Sequence, residues 1–480
     1  MELELNHRVC DRARLARDAR FDGRFFIGVT STGVYCRSVC PAPQPKPKNI
    51  RYFPSAAAAA DAGFRPCLRC RPEASPGTPA WLGASSSVSR ALKLIGESAL
   101  DDGGVEDLAA RLGIGSRHLR RLFLKYLGAT PVAVAQTRRV HFAKKLIDET
   151  NLTMAQIAMA SGFGSIRRFN ATFQNLYGRS PGDLRRAAPG DRNGHRAGHY
   201  TFRIAYRPPY DWDSLIEFLA ARATPGVETV TSGEYRRNVA LDGCEGTIAV
   251  RPVRGRNALE LDICYPNPAA LFRIVERTRR IFDVGADPAE VAGHLRKDPA
   301  LERSVRARPG LRVPGCWDGF ELAVRAILGQ QVSVKGATTV AGRLASAFGS
   351  PVQAGEGVLF PSVAALARAD LTTIGLTRRR AASIRDLAAA VAQGAVVFDG
   401  RLDAGRFEKS VTAIAGIGPW TAQYIAMRLG EPDAFPSGDL YLRHVGARSE
   451  AWRPWRAYAA MHLWKEAGEK LSNNFLTSKQ

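Results

Sequence analysis

Hydrophobic and polar residues follow two different periods along the chain, and the period predicts the type of secondary structure. Apolar residues recur at helical spacing over residues 105–128, around Gly113, and again over residues 152–186, around Gly162. A glycine at a short turn between two amphipathic segments is typical of a helical hairpin. In the first repeat the second helix should begin with Ser116 as its N-cap. The sequence therefore predicts two helix pairs of the same kind in succession.

The second half of the chain begins with segments of period two. Residues 200–206, 247–253 and 258–265 alternate apolar and polar positions as half-buried strands do, and two helical stretches lie among them. From residue 309 the pattern is almost entirely helical. We therefore expect a mixed sheet-and-helix region followed by an all-helical one.

Two polar stretches interrupt these patterns. Residues 74–87 are rich in proline, glycine and serine, and residues 187–199 show no periodicity. Such stretches are typical of domain boundaries and flexible linkers. The domain limits that follow are a cysteine-rich segment 1–76, a double helix pair 85–186, a linker 187–199, a mixed segment 200–305 and a helical segment 306–480.

Composition and charge then narrow the possible functions. The 480 residues are 45% hydrophobic and 24% charged, which suits a soluble protein with several cores. Lysine and arginine total 68 against 45 acidic residues, so the formal charge is +23 and nucleic acid is the favoured partner. A bias toward arginine on solvated surfaces would give the same charge, so motifs must decide. No apolar run suits a signal peptide or a membrane span, and we expect a cytoplasmic protein without membrane contact.

Four of the eight cysteines have the spacing of a metal site. Cys36, Cys40, Cys67 and Cys70 form a C-x3-C pair and a C-x2-C pair. Two such pairs on tight turns can close a tetrahedral thiolate site around one Zn²⁺. Disulfides are not expected, because the cytoplasm keeps thiols reduced. The alternative is a cluster of four buried cysteines without a metal.

The sequence around these cysteines resembles a known family. The runs FDGRFFIGVTSTGVYCRSVCPA and NIRYFPSAAAAADAGFRPCLRCRP resemble the N-terminal zinc domain of the Ada family of DNA methyl-damage sensors, over residues 10–75. The resemblance implies that Cys36 is also a nucleophile that takes a methyl group from a DNA phosphotriester, since zinc holds the thiol as thiolate. Loss of one negative charge would then raise DNA affinity, so damage would act as a switch. A purely structural zinc site fits the spacing equally well.

The two helix pairs have the features of helix-turn-helix units, which place their second helix in the major groove of DNA. The polar and basic residues in these positions are Arg117, His118, Arg120 and Arg121 in the first unit and Arg167, Arg168 and Asn170 in the second. The runs LGIGSRHLRRLFLKYLGATP and SGFGSIRRFNATFQNLYGRSPGDLR resemble the AraC family of regulators over residues 85–186. The resemblance implies binding of a promoter operator and contact with RNA polymerase. A helical bundle with solvated arginines is the alternative.

The run IAGIGPWTAQYIAM, residues 414–427, carries the most information in the helical segment. A hairpin that opens a helix, here with Gly416 and Gly418, leaves backbone N–H groups free to hold a phosphate oxygen. Together with AILGQQVSV and FPSGDLYLRH, this run resembles the AlkA-type glycosylases of the helix-hairpin-helix superfamily, over residues 200–465. The resemblance implies a DNA-3-methyladenine glycosylase II that needs no cofactor for base excision. It should not cut the strand, because Trp420 stands where lyases have a lysine.

The same resemblance assigns residues to the excision reaction. Asp439 matches the catalytic aspartate, whose carboxylate stabilises the positive charge that develops on the sugar. Trp420, Tyr424 and Trp464 match an aromatic pocket that selects a cationic base by stacking and cation–π attraction.

Two glutamines match the loop that contacts DNA beside the flipped base. Gln330 and Gln331 lie in the ILGQ run, and Gln331 stands where a side chain fills the gap left in the base stack. The sequence departs from the family here, because Gln331 is polar where an apolar wedge is known. The interval from Asp439 to Trp452 is also short, as if a turn of helix and its loop had been removed.

The fold class expected is a multidomain α+β chain with a four-cysteine zinc domain, an all-α double helix-turn-helix domain, a mixed α/β subdomain and an all-α helix-hairpin-helix domain. Its expected function is excision of 3-methyladenine and related alkylated bases from double-stranded DNA by a monomer that also accepts methyl groups and regulates transcription. Two alternatives stay open: a methylation-activated regulator whose glycosylase half is inactive, and an architectural DNA binder with a structural zinc. The sequence has no PCHR run, so alkylguanine methyltransferase activity is not expected.

Overall fold

A computed structural model describes residues 5–77, 86–101, 103–187, 198–353 and 356–477. The chain divides into two compact units. The first contains Met1–Pro208, Leu241–Arg279 and Val284–Ala286, and the second contains Pro209–Ala240, Arg280–Asp283 and Asp287–Gln480. In the described part of the chain, no helix combines the length and the apolar character that crossing a membrane requires.

The first unit opens with a small sheet that carries the four cysteines. Its elements are α1 (His7–Leu15), β1 (Phe26–Val29), β2 (Val34–Cys36), β3 (Ile50–Phe53), α2 (Ala56–Asp61) and β4 (Arg65–Pro66). The strand order is β3-β1-β2-β4, with β1 antiparallel to β2 and β3, and β4 parallel to β2. Phe26, Tyr35 and Phe53 form one hydrophobic core with side chains of the helices that follow. This core fixes the cysteine segment on the helical domain.

The helical part of the first unit confirms the two helix pairs. Its helices are α3 (Ser86–Gly96), α4 (Val105–Leu112), α5 (Ser116–Leu127), α6 (Pro131–Glu149), α7 (Met154–Ala160), α8 (Ile166–Tyr177) and α9 (Pro181–Ala187). Gly113 and Gly162 lie between the paired helices at φ 70° and φ 74°, where a side chain would be strained. The expectation for Ser116 is wrong by one residue, because Gly115 has the extended backbone of the N-cap and Ser116 is already helical.

The next segment mixes strands and helices, as the period-two pattern predicts. Its elements are β5 (His199–Ala205), α10 (Trp212–Ala220), β6 (Glu228–Thr231), β7 (Glu234–Leu241), β8 (Cys244–Pro252), β9 (Ala258–Cys264) and α11 (Leu271–Ile281). In the first unit β9 pairs antiparallel with β5 and β8. In the second unit β6 and β7 form an antiparallel hairpin that the sequence analysis did not predict.

The missed hairpin has a physical explanation. Arg237 breaks the apolar alternation of β7, yet its side chain is buried. It is buried because Glu228 and Glu321 both lie within ion-pair distance of its guanidinium group, at 3.3 and 2.8 Å. Glu228 lies opposite Arg237 on β6 and Glu321 lies on the distant helix α14, and neither contact can be recognised from the local periodicity of β7.

The described remainder of the second unit is helical, apart from an isolated β-bridge between Pro351 and Val358. Its helices are α12 (Pro288–Leu295), α13 (Pro299–Ala307), α14 (Gly319–Leu328), α15 (Val334–Phe348), α16 (Val363–Arg368), α17 (Arg378–Ala392), α18 (Ala404–Thr412), α19 (Pro419–Arg428) and α20 (Arg456–Thr477). Helix α14 is buried along most of its length and packs on α17 and α19. This packing places the loop after α14 beside the hairpin between α18 and α19.

The domain limits stay predictions. Most of the linker 187–199 lies outside the described residues, but Ala187 ends α9 and His199 begins β5.

Candidate functional site

The four spaced cysteines meet in one cluster. Cys36 ends β2 and Cys67 follows β4, and each is joined by the second cysteine of its pair on the next turn. The four Sγ atoms all lie within 4.8 Å of one another. Tetrahedral zinc with Zn–S bonds of about 2.3 Å needs sulfur atoms about 3.8 Å apart, so this donor set fits Zn²⁺. Hydrogen bonds among the thiols raise the pKa of Cys36 and Cys70 and lower the pKa of Cys40 and Cys67. A bound cation would favour the thiolate form of all four cysteines.

Arg37 contacts this cluster through its backbone and its side chain. The backbone N–H of Arg37 donates to Sγ of Cys70 at 3.4 Å, and its side-chain Nη1 donates to the Cys70 carbonyl at 3.1 Å. The same guanidinium forms an ion pair with the buried carboxylate of Asp22. These contacts hold the two cysteine turns at a fixed separation, as an outer layer of hydrogen bonds does in metal sites.

The helix-turn-helix residues named from the sequence all lie on exposed faces. Arg117, His118, Arg120 and Arg121 are exposed on α5, and Arg167, Arg168 and Asn170 are exposed on α8. The opposite faces of these two helices are buried through Leu119 and Phe123 on α5 and Phe169 and Phe173 on α8. Each second helix therefore has a core-facing side and an exposed polar side.

The residues assigned to base excision also come together. Asp439 is half-buried, and its Oδ1 accepts hydrogen bonds from the indole Nε1 of Trp464 at 3.0 Å and from the Tyr441 backbone at 2.9 Å. The ring of Trp464 lies 6.3 Å from that of Tyr424, which stacks on Trp420 at 5.7 Å and an interplanar angle of 7°. A carboxylate thus lies at the end of a row of three aromatic rings.

Two arginines that sequence reasoning missed lie behind this row. The buried Arg428 donates to the Tyr424 hydroxyl at 2.9 Å, and Arg222 lies 3.7 Å from the centre of the Phe218 ring. Burial alone would raise the pKa of Tyr424, but the positive charges of Arg428 and Arg222 bring that pKa below its usual value. Arg428 stands four residues after Tyr424 on the same helix face, a spacing that could have identified it.

The hairpin before α19 contacts the glutamine loop. Gly416 has φ 89°, and a Cβ there would lie 2.3 Å from Oγ of Ser383, so only glycine fits. Gly418 is the N-cap of α19. The amide of Gln330 donates to the Gly416 carbonyl at 2.9 Å and to Oγ1 of Thr421 at 3.0 Å. Gln330 is therefore a structural link between the two loops.

Gln331 differs from its neighbour in both exposure and backbone. Its side chain is exposed, and its φ of 56° is in the left-handed region that a non-glycine residue adopts at a cost of about 1 kcal/mol. Strained backbone of this kind is often found where a side chain must be presented to a ligand.

The short interval between Asp439 and Trp452 is spanned by turns and one short helix. A short 3-10 helix, Gly446–Trp452, leads to the buried Trp452, whose indole donates to Oδ2 of Asp298 at 2.8 Å. This anchor fixes the entry to α20, and α20 carries Trp464 to Asp439.

Models of four protein families match successive parts of the chain. They are the metal binding domain of Ada over residues 9–73, a helix-turn-helix domain over 108–187, the AlkA N-terminal domain over 201–318, and the HhH-GPD superfamily base excision DNA repair protein over 324–469.

Similar proteins from three bacteria cover the same parts. The probable bifunctional transcriptional activator/DNA repair enzyme AlkA of Mycobacterium tuberculosis is 42% identical over 476 residues, 95% of each chain. DNA-3-methyladenine glycosylase 2 of Escherichia coli is 34% identical over 281 residues, 56% of this chain and 98% of the relative. The bifunctional transcriptional activator/DNA repair enzyme AdaA of Bacillus subtilis is 32% identical over 174 residues, 36% of this chain and 80% of the relative.

Proposed function

Because the chain belongs to the family of bifunctional transcriptional activators and DNA repair enzymes of the AlkA type, we propose that it excises 3-methyladenine and related alkylated bases from double-stranded DNA. The observation that supports this activity most is the hydrogen bond from Trp464 to Asp439, which joins the aromatic row to a carboxylate. Such an enzyme works where the chromosome is, so we place the protein in the cytoplasm.

In the proposed reaction the C1′–N bond of the flipped nucleotide breaks, and water adds to C1′ and loses one proton to the solvent. The departing base takes the bonding electrons, and a cationic base such as 3-methyladenine leaves as a neutral molecule. The Asp439 carboxylate stabilises the positive charge that develops on the sugar. Both described hydrogen bonds to Asp439 go to Oδ1, so we assign Oδ2 to the sugar.

The three aromatic rings select and hold the flipped base. Trp420 and Tyr424 offer parallel stacked faces, and an electron-rich face attracts a cationic base. Arg428 donates to the Tyr424 oxygen, which leaves the Tyr424 O–H as a donor for an acceptor on the base. The wedge role stays with Gln331, whose exposed amide can hydrogen-bond the orphaned partner base as well as fill the gap.

We also propose that Cys36 accepts a methyl group from a DNA methylphosphotriester. When bound, Zn²⁺ keeps the thiolate form of the four cysteines at neutral pH. The Cys36 sulfur forms the new S–CH₃ bond, the bond from the methyl carbon to the phosphotriester oxygen breaks, and the phosphodiester leaves as an anion. The product sulfur is no longer an anion, so repulsion of the DNA phosphates falls and the exposed faces of α5 and α8 bind an operator more tightly. RNA polymerase is the proposed downstream partner, and the protein is proposed to act as a monomer.

The test of the glycosylase proposal is incubation of the full chain with methylated duplex DNA, followed by chromatography of the soluble products. Free 3-methyladenine supports the proposal. DNA that is retained in a gel shift while no base is released would instead support a regulator whose glycosylase half is inactive.

A further inference from the structure

The cysteine cluster opens onto a cavity of about 500 Å³ in the first unit. Cys36, Cys40 and Cys67 line one wall of this cavity. Its rim is not made by the cysteine segment alone, because Tyr177 and Arg179 from the end of the second helix-turn-helix unit also line it. The cavity therefore brings the proposed methyl acceptor and the second DNA-reading unit to one place.

Local structure at the end of α8 fixes the position of Arg179. Tyr177 is 7% exposed and stacks on Phe173 with ring centres 5.3 Å apart, which anchors the last turn of the helix in the core. Gly178 then ends α8 at φ 65°, the left-handed conformation typical of a helix C-terminus. A Cβ on Gly178 would lie 3.9 Å from Nη1 of Arg65. Arg179 thus emerges from the helix end beside Arg65.

The arginines that line the cavity fall into two groups. Arg14 and Arg37 also line it, but Asp11 and Asp22 neutralise them. Arg65, Arg69 and Arg179 are exposed and have no ion pair with an acidic residue in the described part of the chain. Three uncompensated guanidinium groups at the mouth of one cavity suit an anion, and the planar fork of arginine matches phosphate oxygens.

We infer that Arg179 is a phosphate-positioning residue of the methyl-transfer site, so that one DNA segment occupies both the Cys36 cavity and the end of the second helix-turn-helix unit. The inference rests on the proposed methyl transfer to Cys36. When the CH₃–O bond breaks, negative charge develops on the departing phosphodiester. A guanidinium already in contact with that phosphate stabilises the charge without reorganisation.

The structure also indicates why the second helix-turn-helix unit would take part. Arg179 follows α8 directly, and Arg167, Arg168 and Asn170 lie near the start of the same helix. A duplex that lies along α8 therefore reaches Cys36 at the C-terminal end of this helix. Repair at Cys36 and operator reading by α8 would then use the same stretch of backbone, and methyl transfer would depend on both modules.

The experiment uses the full zinc-loaded chain with Arg179→Gln, Arg179→Lys and Arg186→Gln. Arg186 is the matched control, because it is 75% exposed on α9, pairs with Asp183 and does not line the cavity. Methylation of Cys36 by duplex DNA that carries one methylphosphotriester is followed by mass spectrometry. We expect Arg179→Gln to be about tenfold slower or more, Arg179→Lys to keep part of the rate, and Arg186→Gln to match the parent.

A second arm uses iodomethane, which methylates a reactive thiolate without any phosphate contact. We expect the three variants to react with iodomethane at the parent rate, which shows that the cysteine cluster is intact. Excess unmodified duplex should protect Cys36 from iodomethane in the parent and in Arg186→Gln, and protect it several-fold less in Arg179→Gln.

The two arms separate the inference from the function on which it rests. If phosphotriester DNA never methylates the parent, the proposed methyl transfer fails, and the protection arm alone decides whether Arg179 holds phosphate beside Cys36. If Arg179→Gln is protected as well as the parent, or is methylated by phosphotriester DNA at the parent rate, the inference is overturned.

Discussion

The Nε1 atom of Trp464 lies 3.0 Å from Oδ1 of Asp439, so one ring of the aromatic row also orients the carboxylate at its end. Trp464→Phe keeps most of the ring and removes this hydrogen bond. A hydrogen bond to a charged group contributes about 1.5–3 kcal/mol, so the single-turnover rate of base release should fall about tenfold or more.

Trp420→Phe is the matched comparison for that variant. The Trp420 Nε1 atom is buried without a hydrogen-bond partner in the described residues, so its removal takes away ring area and no hydrogen bond. The loss for Trp420→Phe should therefore be the smaller of the two. Equal losses would mean that the Trp464 indole acts only as a stacking surface.

The buried charge cluster around Arg237 predicts a large effect on stability. Arg237→Met leaves the buried carboxylates of Glu228 and Glu321 short of one cation, and breaking such a pair costs about 3–5 kcal/mol. The measurement is urea unfolding followed by tryptophan fluorescence. Arg306→Met removes a surface pair with Glu302 at a 70% exposed arginine side chain and should cost under about 1 kcal/mol. Similar midpoints for the two variants would contradict the structural role given to Arg237.

His462 predicts a pH dependence with a definite sign. Burial lowers the pKa of His462 from 6.5 to about 4, with a further contribution from the charge of Arg308, while Nδ1 contacts Oγ of Ser304 at 3.0 Å. Between these two pH values the unfolded chain binds a proton that the folded chain does not. The free energy of unfolding should therefore fall by about 1.4 kcal/mol for each pH unit as the pH is lowered through this window.

His462→Gln should remove this pH dependence of the unfolding free energy, even if the substitution also changes the unfolding free energy at pH 7. The measured quantity is the difference in unfolding free energy between parent and variant at several pH values from 7 to 4. A difference that does not change with pH would show that folding does not lower the pKa of His462.

Removal of zinc should separate the two activities. The four cysteine sulfurs lie within 4.8 Å of one another, and without a cation their ionised forms repel. Treatment with a chelator should abolish methylation of Cys36 and lower the thermal stability of the cysteine segment. Base release by the second unit should persist, because the described residues around Asp439 form no cluster of three or more metal-ligand side chains. Parallel loss of both activities on chelation would contradict this separation.

Some parts of the molecule could be predicted from the sequence and others could not. The cysteine cluster follows from spacing, because two close pairs restrict where the sulfurs can lie. The helix pairs follow from periodicity and from glycines with positive φ, such as Gly113. The hairpin of β6 and β7 did not, because Arg237 is buried between Glu228 on the paired strand and Glu321 on the distant helix α14, and local periodicity shows neither contact.

The candidate sites show the same limit. Asp439 and Trp464 could be assigned only through resemblance to a family, because the hydrogen bond between them depends on the path of α20. No local pattern brings Arg179 to the cavity of Cys36, because that contact needs the fold of the cysteine segment against α8. Local sequence patterns therefore predicted elements and clusters, while contacts between elements required the structure.

The most direct test of the account is the single-turnover release of 3-methyladenine from methylated duplex DNA by the parent chain and by Asp439→Asn. Asparagine has almost the same size and cannot stabilise a cationic sugar with a negative charge. The account predicts release by the parent and a loss of about a hundredfold or more in the variant, at unchanged affinity for DNA. Release at equal rates by both proteins would contradict the assignment of Asp439, and release by neither would contradict the glycosylase itself.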